Sequence, residues 1–342
     1  MKYIATFATL LLTLAAAGMP AARAQSTSTA PADTRVEFDS FTPATMYDLA
    51  RERRQNWAPQ RVWGDLTLPH APPAVPNPGP VPAMVIMHGS AGIEANTKMW
   101  VSALNSIGVA TFVVSSYEPR GVTRTVEDQT LVPPAANLMD GLQALQVLAE
   151  DPRIDPARIG VMGFSRGGAV AFRSAIEPLR HAVIKTDLRF ALHIPLYAGC
   201  NDVYWSRQVT GAPILNLVGA ADDYVGAASC ESLAARYAEA GAPVRTVKYA
   251  GASHSFDATY AVTWLPKASV TMSCGVLRWD IEPWTIHSEL SGATIDPARL
   301  TDFYKACTRL GAHAGRNQAA ATQARAEVIN FVRQVFFPRE VK

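Results

Sequence analysis

The chain has 342 residues, of which 49% are hydrophobic and 18% are charged. That balance allows a large buried core and excludes a disordered tail, and the length suits one large domain or two small ones. The formal charge is only +2 and the basic residues form no cluster, so the sequence offers no footprint for nucleic acid.

The N-terminus has the features of a secretory signal peptide. Lys2 gives a positive start, Ile4–Gly18 is an apolar run, and Ala22–Ala24 has the small-x-small form of a cleavage site. The run is short for a membrane span, so we predict a signal peptide over residues 1–24 and a secreted or periplasmic protein without a stable membrane anchor. An uncleaved anchor is the alternative. Cleavage would remove two basic residues and no acidic one, which leaves the mature chain formally neutral.

Two polar, proline-containing stretches follow. The first predicts a linker over residues 25–42, and the second, Pro69–Pro82, is expected to join or turn strands. We assign residues 43–342 to a single domain.

From Ala83 onward, short apolar runs alternate with amphipathic segments of helical length. The runs are Ala83–Met87, Val109–Ser115, Ile159–Gly163, Phe190–Tyr197, Ile214–Val218 and Val244–Tyr249. The amphipathic segments are Lys98–Ile107, Ala135–Ala149, Gly168–Glu177, Ala227–Ala240 and Asn317–Phe336. This alternation predicts an α/β fold with a mostly parallel central sheet flanked by helices. Ligands of such sheets bind at the carboxyl ends of the strands.

One of these strand ends carries the pentapeptide Gly163-Phe164-Ser165-Arg166-Gly167. A sharp turn from strand to helix exposes the serine hydroxyl and leaves no room for side chains two residues before and two after it. The pattern is therefore that of a nucleophile elbow, with Ser165 as the nucleophile.

A serine nucleophile needs a histidine base held by a carboxylate, in the chain order serine, acid, histidine. Asp222 and Asp223 follow the run Ile214–Val218, and His254 follows the run Val244–Tyr249. We assign Asp222 to the triad and treat Asp223 as the competing residue, with a helix cap or loop role as its other interpretation.

The segment His88-Gly89-Ser90-Ala91-Gly92 follows the first strand of the alternating region, where an oxyanion hole is expected. We assign the two oxyanion donors to the backbone N–H groups of Ser90 and Arg166. A tight glycine turn with no catalytic role is the alternative, while the absence of a P-loop lysine argues against a phosphate-binding loop.

Together with Tyr117-Glu118-Pro119-Arg120-Gly121, these motifs resemble the dienelactone hydrolase family of α/β-hydrolases. The resemblance implies an α/β-hydrolase fold. Dienelactone hydrolases proper use a cysteine nucleophile, and the serine at this position favours general ester hydrolysis. The resemblance also implies that Arg120 holds a substrate carboxylate, and a structural ion pair is the alternative for that residue.

The four cysteines are even in number and have no CxxC spacing, which favours two disulfides over a zinc site. Three pairings are possible. The resemblance suggests a bridge from Cys200 to Cys230, and the order along the chain favours that pair together with Cys274 and Cys307.

Residues 257–315 form an insertion before the last helix, which we expect to be an ordered cap beside the site. Trp279 and Trp284 within it are candidates for contact with an acyl or aromatic group, or for packing the insertion itself. Trp205 lies near the predicted cleft and is a candidate substrate-binding residue.

The sequence therefore predicts a secreted serine hydrolase that cleaves carboxylic esters, with lactones and acidic esters among the candidates, and that needs no metal or organic cofactor. The expected partner is a small-molecule or polymer-derived ester, and the oligomeric state is left open. A peptidase or an acyltransferase could use the same triad. A non-catalytic binding protein and a metal-dependent hydrolase fit less well, because no triad member is missing and no paired metal-ligand motif is present.

Overall fold

The computed structural model describes Met1 and residues 33–69 and 79–338. The predicted signal peptide beyond Met1, and the first part of the predicted linker, lie outside these residues. Among the helices of the described residues, none is long and apolar enough to cross a membrane.

An eight-stranded sheet forms the centre of the fold. Its strands are β1 Thr34–Pro43, β2 Trp57–Thr67, β3 Val81–Met87, β4 Ala110–Ser115, β5 Ile154–Phe164, β6 His193–Leu196, β8 Ile214–Gly219 and β9 Val244–Tyr249. Their order across the sheet is β1-β2-β4-β3-β5-β6-β8-β9. β1 and β2 pair antiparallel, β2 pairs antiparallel with β4, and every pairing from β4 to β9 is parallel. The prediction of a mostly parallel central sheet is confirmed.

Helices cover both faces of this sheet. They are α1 Met46–Ala50, α2 Ala95–Asn105, α3 Pro134–Glu150, α4 Arg166–Arg173, α5 Glu177–Val183, α6 Ala227–Glu239 and α8 Gln318–Phe336, while α7 Leu300–Cys307 belongs to the insertion. Alternate residues of β3 face opposite layers: Val85 packs with the core on the α3 and α4 side, while Met84 and Ile86 pack with α2 and α8. Strands buried on both faces explain why these runs read as continuously apolar.

Three boundaries differ from the sequence predictions. Residues 34–42 are not a linker but most of β1, because Phe38 and Ser40 turn inward while the alternating residues Glu37 and Asp39 face solvent. The helix predicted over 168–177 begins at Arg166 and ends at Arg173, and α5 then starts afresh with Pro178 in its first turn, where a missing N–H costs nothing. Only His193–Leu196 of the run 190–197 is strand.

The insertion is ordered and contains small sheets of its own. β10 Thr263–Val270 pairs antiparallel with β13 Arg309–Ala314. β11 Leu277–Asp280 pairs with β12 Thr285–Ser288 and, in parallel, with β7 Asp202–Trp205, which follows the main-sheet strand β6. The insertion is therefore tied to the core by strand pairing.

Both cysteine pairs favoured by the sequence lie at bonding distance. Cys200 and Cys230 have Cα atoms 5.1 Å apart, and Cys274 and Cys307 have Cα atoms 5.0 Å apart. The first pair links the loop after β6 to α6, and the second closes the loop of the insertion that contains β11, β12 and α7.

Candidate active site

Ser165 sits at the turn between β5 and α4 with a backbone φ of +51°, a left-handed value that a non-glycine residue adopts only under strain. A Cβ on Gly163 would lie 2.1 Å from the carbonyl oxygen of Gly167, and one on Gly167 would lie 2.1 Å from that of Met87. The two flanking glycines are thus required by backbone contacts, as the elbow pattern predicts.

The structure brings Ser165, His254 and Asp222 into one hydrogen-bonded chain. The hydroxyl of Ser165 lies 2.9 Å from Nε2 of His254, and Nδ1 of His254 lies 2.8 Å from Oδ2 of Asp222. The histidine and the aspartate are both buried. If Nδ1 carries the proton that bonds the carboxylate, Nε2 is free to accept the serine proton.

The Asp222 carboxylate is held ionised by its neighbours. Its Oδ1 accepts hydrogen bonds from the backbone N–H groups of Tyr224 at 2.9 Å and Val225 at 3.0 Å. Burial acts to raise the pKa of Asp222, but the charge and hydrogen bond of His254 together with these backbone donors outweigh it, and the pKa lies below its ordinary value.

Asp223, the competing carboxylate, turns away from His254. It accepts hydrogen bonds from the backbone N–H of His313 at 2.8 Å and from Nδ1 of the same residue at 2.7 Å. Both side chains are about half exposed. The geometry therefore gives Asp223 a role in anchoring β13 and leaves Asp222 as the carboxylate that reaches the histidine.

Sequence reasoning missed a buried network behind His254. The ring of Tyr197 packs edge-on against the imidazole at 5.0 Å, and its hydroxyl donates to Asp257 at 2.6 Å. The Asp257 carboxylate also accepts from Trp100 Nε1 at 2.6 Å and from Asn96 Nδ2 at 3.2 Å. These partners lie up to 161 residues from Asp257 along the chain, so no local motif could have revealed them.

The predicted oxyanion loop is fixed by a buried histidine. The Nδ1–H of His88 donates to the carbonyl of Gly89 at 2.8 Å, and its Nε2 accepts from the backbone N–H of Ser116 at 3.2 Å. Burial lowers the pKa of His88 to about 4, so the ring is neutral and keeps this arrangement at neutral pH. Ser90 and Arg166 line the same cavity as Ser165, and within the described residues neither of their backbone N–H groups donates to a protein acceptor.

The Arg166 side chain points away from the nucleophile and organises the loop before α3. Its guanidinium donates to Asn137 Oδ1 at 2.6 Å, to the carbonyl and Oε1 of Gln129 at 2.9 Å each, and to the carbonyl of Val132. Burial lowers the pKa of Arg166 from its ordinary value. The side chain is therefore engaged by this loop, while the backbone N–H of Arg166 lies next to Ser165 in the chain.

Arg120 does not reach the cleft, which corrects the substrate-binding role considered for it. All five of its N–H donors are used inside the protein. They reach Oδ2 of Asp140 at 2.7 Å, Oδ1 of Asp140 at 3.0 Å, Thr42 Oγ1 at 2.9 Å, the Ser116 carbonyl at 2.6 Å and the Phe41 carbonyl at 3.3 Å. The pair with Asp140 is buried, so the structural alternative is the correct one.

The candidate substrate-binding role of Trp205 also needs correction, and for Trp279 and Trp284 the packing alternative agrees with the structure. Trp205 packs edge-on against Tyr237 at 5.6 Å and lines a different cavity from Ser165. Trp279 stacks on Tyr204 at 5.2 Å, and Trp284 packs against Tyr47 at 4.9 Å. These three indoles fasten the insertion to the core and contact none of the triad residues.

Two cavities meet at Ser165. The larger, of about 180 Å³, is lined by Arg166, Ala169 and Arg173 of α4 together with Tyr224 and residues of β10. The smaller, of about 40 Å³, is lined by Glu94, His254, Ser255 and Tyr260. Ser90 lines both cavities, so a carbonyl carbon at the serine could direct one substituent into each.

The chain is similar to known proteins of one family. A model of the dienelactone hydrolase family matches residues 70–273, which is more than half of the chain and includes all three residues of the hydrogen-bonded chain. An uncharacterized protein found in two strains of Mycobacterium tuberculosis is 29% identical over 189 residues, covering 52% of this chain and 64% of the relative. The chain thus spans less than two thirds of the length of these curated relatives.

Solved structures share the fold at low sequence identity. The native thermophilic esterase Est2 of Thermogutta terrifontis aligns with a TM-score of 0.51 and 14% identity over 82% of this chain and 90% of that chain. A dienelactone hydrolase-like promiscuous phosphotriesterase from metagenomic libraries aligns with a TM-score of 0.49 and 12% identity over 88% and 99% of the two chains. At 14% identity, the similarity to the Est2 structure establishes the α/β-hydrolase fold alone.

Proposed function

The chain belongs to the dienelactone hydrolase family, and on that premise we propose that it is a serine-dependent carboxylic ester hydrolase that works through an acyl-enzyme intermediate. The observation that carries the proposal is the chain from Ser165 through His254 to Asp222, with contacts of 2.9 and 2.8 Å. In this arrangement a histidine base, held by a carboxylate, lies within hydrogen-bonding distance of the serine, which is what makes a weakly nucleophilic hydroxyl reactive.

In the proposed reaction, Oγ of Ser165 attacks the ester carbonyl while Nε2 of His254 takes the hydroxyl proton. Asp222 keeps the imidazole in the required tautomer and stabilises the imidazolium. The backbone N–H groups of Ser90 and Arg166 receive the oxyanion, and the free helix-end donor at Arg166 adds the favourable field of α4.

Collapse of the tetrahedral intermediate breaks the bond from the carbonyl carbon to the alcohol oxygen, and His254 returns its proton to that oxygen. A water molecule then attacks the acyl-Ser165 ester, with His254 again accepting a proton, and the carboxylic acid leaves. Each step uses side chains and backbone groups of the chain itself.

We also propose that the protein acts outside the cytoplasm. The two disulfides support this, since such bonds persist in oxidising compartments. The predicted signal peptide agrees with it. Expression of the full chain in a bacterial host, followed by the intact mass of the exported protein, would give the N-terminal cleavage point directly, expected after Ala24.

The proposed function is tested by labelling the protein with a fluorophosphonate probe and locating the adduct by peptide mass spectrometry. We expect an adduct on Ser165 that is lost in Ser165→Ala and kept in Ser106→Ala, which alters an exposed serine at the end of α2. A folded protein that hydrolyses no ester and forms no adduct at Ser165 would overturn the proposal. Comparing matched ester and amide substrates, with and without an acceptor alcohol, separates an esterase from a peptidase or an acyltransferase.

A further inference from the structure

The two cavities at Ser165 are chemically different, and the position of His254 identifies which part of an ester each one receives. The argument rests on the proposed hydrolase function. His254 must return its proton to the leaving alcohol, so the alcohol portion belongs on the side that His254 lines, which is the smaller cavity. The acyl portion then extends into the larger cavity along α4.

Arg173 stands at the far end of that acyl cavity. It follows Ser165 by eight residues and Ala169 by four, so it lies on nearly the same face of α4 as both, roughly 12 Å along the axis from the serine. Helical side chains lean toward the helix N-terminus, which is the end of α4 that follows Ser165. Arg173 lines the acyl cavity and is only 9% exposed.

The guanidinium of Arg173 has almost no partners in the protein. Among the residues that the structure describes, its one hydrogen bond runs to the carbonyl of Asp202 at 3.4 Å, and no carboxylate forms a salt bridge with it. Asp202 lines the same cavity, but its carboxyl accepts from the hydroxyl of Tyr304; burial raises its pKa, against the opposing effects of that hydrogen bond and of the Arg173 charge. A buried arginine with free donors facing a cavity is costly unless something anionic binds it.

An aromatic stack holds this arginine in place. Its guanidinium lies over the ring of Tyr204, 5.1 Å from the centroid, and Tyr204 stacks on Trp279 at 5.2 Å. Stacking uses the face of the guanidinium and leaves the N–H groups on its edge free to bind a carboxylate in a fork. The insertion thus supports Arg173 through the stacking of Trp279 on Tyr204, and it also lines the two cavities through residues such as Ser269 and Tyr260.

The smaller cavity, assigned to the alcohol portion, is lined by a carboxylate, which is opposite in charge to Arg173. Glu94 lines it as a half-buried carboxylate, and within the described residues its side chain has no hydrogen-bond or salt-bridge partner. Burial and the nearby Asp257 raise its pKa. A negative group on the alcohol portion would face this carboxylate, while a negative group on the acyl portion would face Arg173.

We propose that Arg173 is a specificity-determining residue that binds a carboxylate on the acyl portion of the substrate, so that the preferred substrates are half-esters of short dicarboxylic acids with a small, uncharged alcohol. The cavity volumes, about 180 Å³ for the acyl portion and about 40 Å³ for the alcohol portion, fit this assignment of the longer and the shorter group.

Two isomeric esters test the proposal. Monomethyl succinate and 3-acetoxypropanoate have the same formula, with the carboxylate on the acyl side in the first and on the alcohol side in the second. Methyl butanoate and propyl acetate are their uncharged counterparts. After division by the rate of alkaline hydrolysis of each ester, we expect kcat/KM of the wild-type protein to favour monomethyl succinate over 3-acetoxypropanoate by about 10-fold or more.

The variants assign the preference to residues. In Arg173→Gln, the ratio of kcat/KM for monomethyl succinate to that for methyl butanoate should fall by roughly 10-fold to 100-fold, as expected for loss of a charge-assisted hydrogen bond. Arg245→Gln, on the far strand β9, should leave this ratio unchanged. Glu94→Gln should raise kcat/KM for 3-acetoxypropanoate relative to propyl acetate.

The outcomes separate this proposal from the proposed function. A wild-type protein that hydrolyses none of the four esters would contradict the hydrolase function itself. One that hydrolyses the neutral pair but shows no preference between the charged isomers would overturn the role of Arg173, as would an unchanged ratio in folded Arg173→Gln. The wild-type comparison decides the question even if that variant does not fold.

Discussion

The substitution Asp222→Asn is a strict test of the triad because the structure fixes how the new amide must sit. Oδ1 of Asp222 already accepts two backbone N–H groups, at 2.9 and 3.0 Å. The amide oxygen of asparagine must keep that position, since an NH₂ group there would face two donors. The NH₂ group is therefore turned toward His254, where the carboxylate had accepted a hydrogen bond at 2.8 Å.

That orientation imposes the wrong tautomer on His254. Nδ1 becomes the acceptor, the ring proton moves to Nε2, and Nε2 can no longer take the proton of Ser165. We expect kcat to fall by roughly 10⁴-fold, which corresponds to about 5.5 kcal/mol in the activation barrier. The shape of the side chain is unchanged and both backbone hydrogen bonds remain, so the far-ultraviolet circular dichroism spectrum should be that of the wild type.

The assay is hydrolysis of methyl butanoate at pH 7 to 8, with Asp223→Asn as the matched control. Asp223 is the adjacent carboxylate, bonds His313 and is half exposed, so its amide should retain activity within a few-fold of the wild type. A folded Asp222→Asn that keeps a tenth of wild-type kcat, or an Asp223→Asn that loses as much as Asp222→Asn, would refute the assignment.

The same substitution has a signature in stability. The pKa of Asp222 is lowered in the folded protein from an ordinary value of 3.8, so its ionisation stabilises the fold above that value, and the contribution is lost as the pH falls through the lowered pKa. Asp222→Asn removes this contribution. The difference in free energy of unfolding between the variant and the wild type should therefore be present at pH 7 and shrink below about pH 4.

Two further predictions concern buried charges away from the reaction. Arg120→Met should lower the free energy of unfolding by about 3 to 5 kcal/mol, because it leaves Asp140 buried without its cation. Urea denaturation measures this change. A variant that is as stable as the wild type but has an altered preference for acidic esters would instead support the substrate-binding role of Arg120. Burial lowers the pKa of His88 and of His193 to about 4. Between pH 4 and the ordinary pKa of 6.5, the unfolded chain therefore binds more protons than the folded protein does. As the pH drops from 6.5 to 4, each of these residues should lower the free energy of unfolding by roughly 3 kcal/mol. The urea midpoint should fall accordingly between pH 6.5 and 4, and His193→Gln should flatten the fall; a midpoint that is constant over this range would contradict it.

The roles of Arg120 and Arg173 could not be predicted from the sequence. Arg120 and Arg173 are the same residue type, and the sequence offers a family resemblance for the first and no motif for the second. The two arginines differ in their ion pairing. Asp140, on α3, forms a buried ion pair with Arg120, whereas the Asp202 carboxyl beside Arg173 accepts a hydrogen bond from Tyr304. These partners come from other segments of the chain and are set by packing.

The sequence by itself determined the alternating strands and helices and singled out Ser165, His254 and the pair Asp222 and Asp223 as candidates, because each of these follows from the chemistry of a few adjacent residues. It did not decide which of the two aspartates reaches the histidine. Buried parallel strands must be apolar, and a nucleophile elbow must have glycines beside its serine. The tertiary structure alone decided that residues 34–42 form a strand, that the tryptophans pack the insertion, and which arginine keeps free donors in the cleft. Burial and charge pairing depend on residues far apart in sequence, and only the packed fold brings them together.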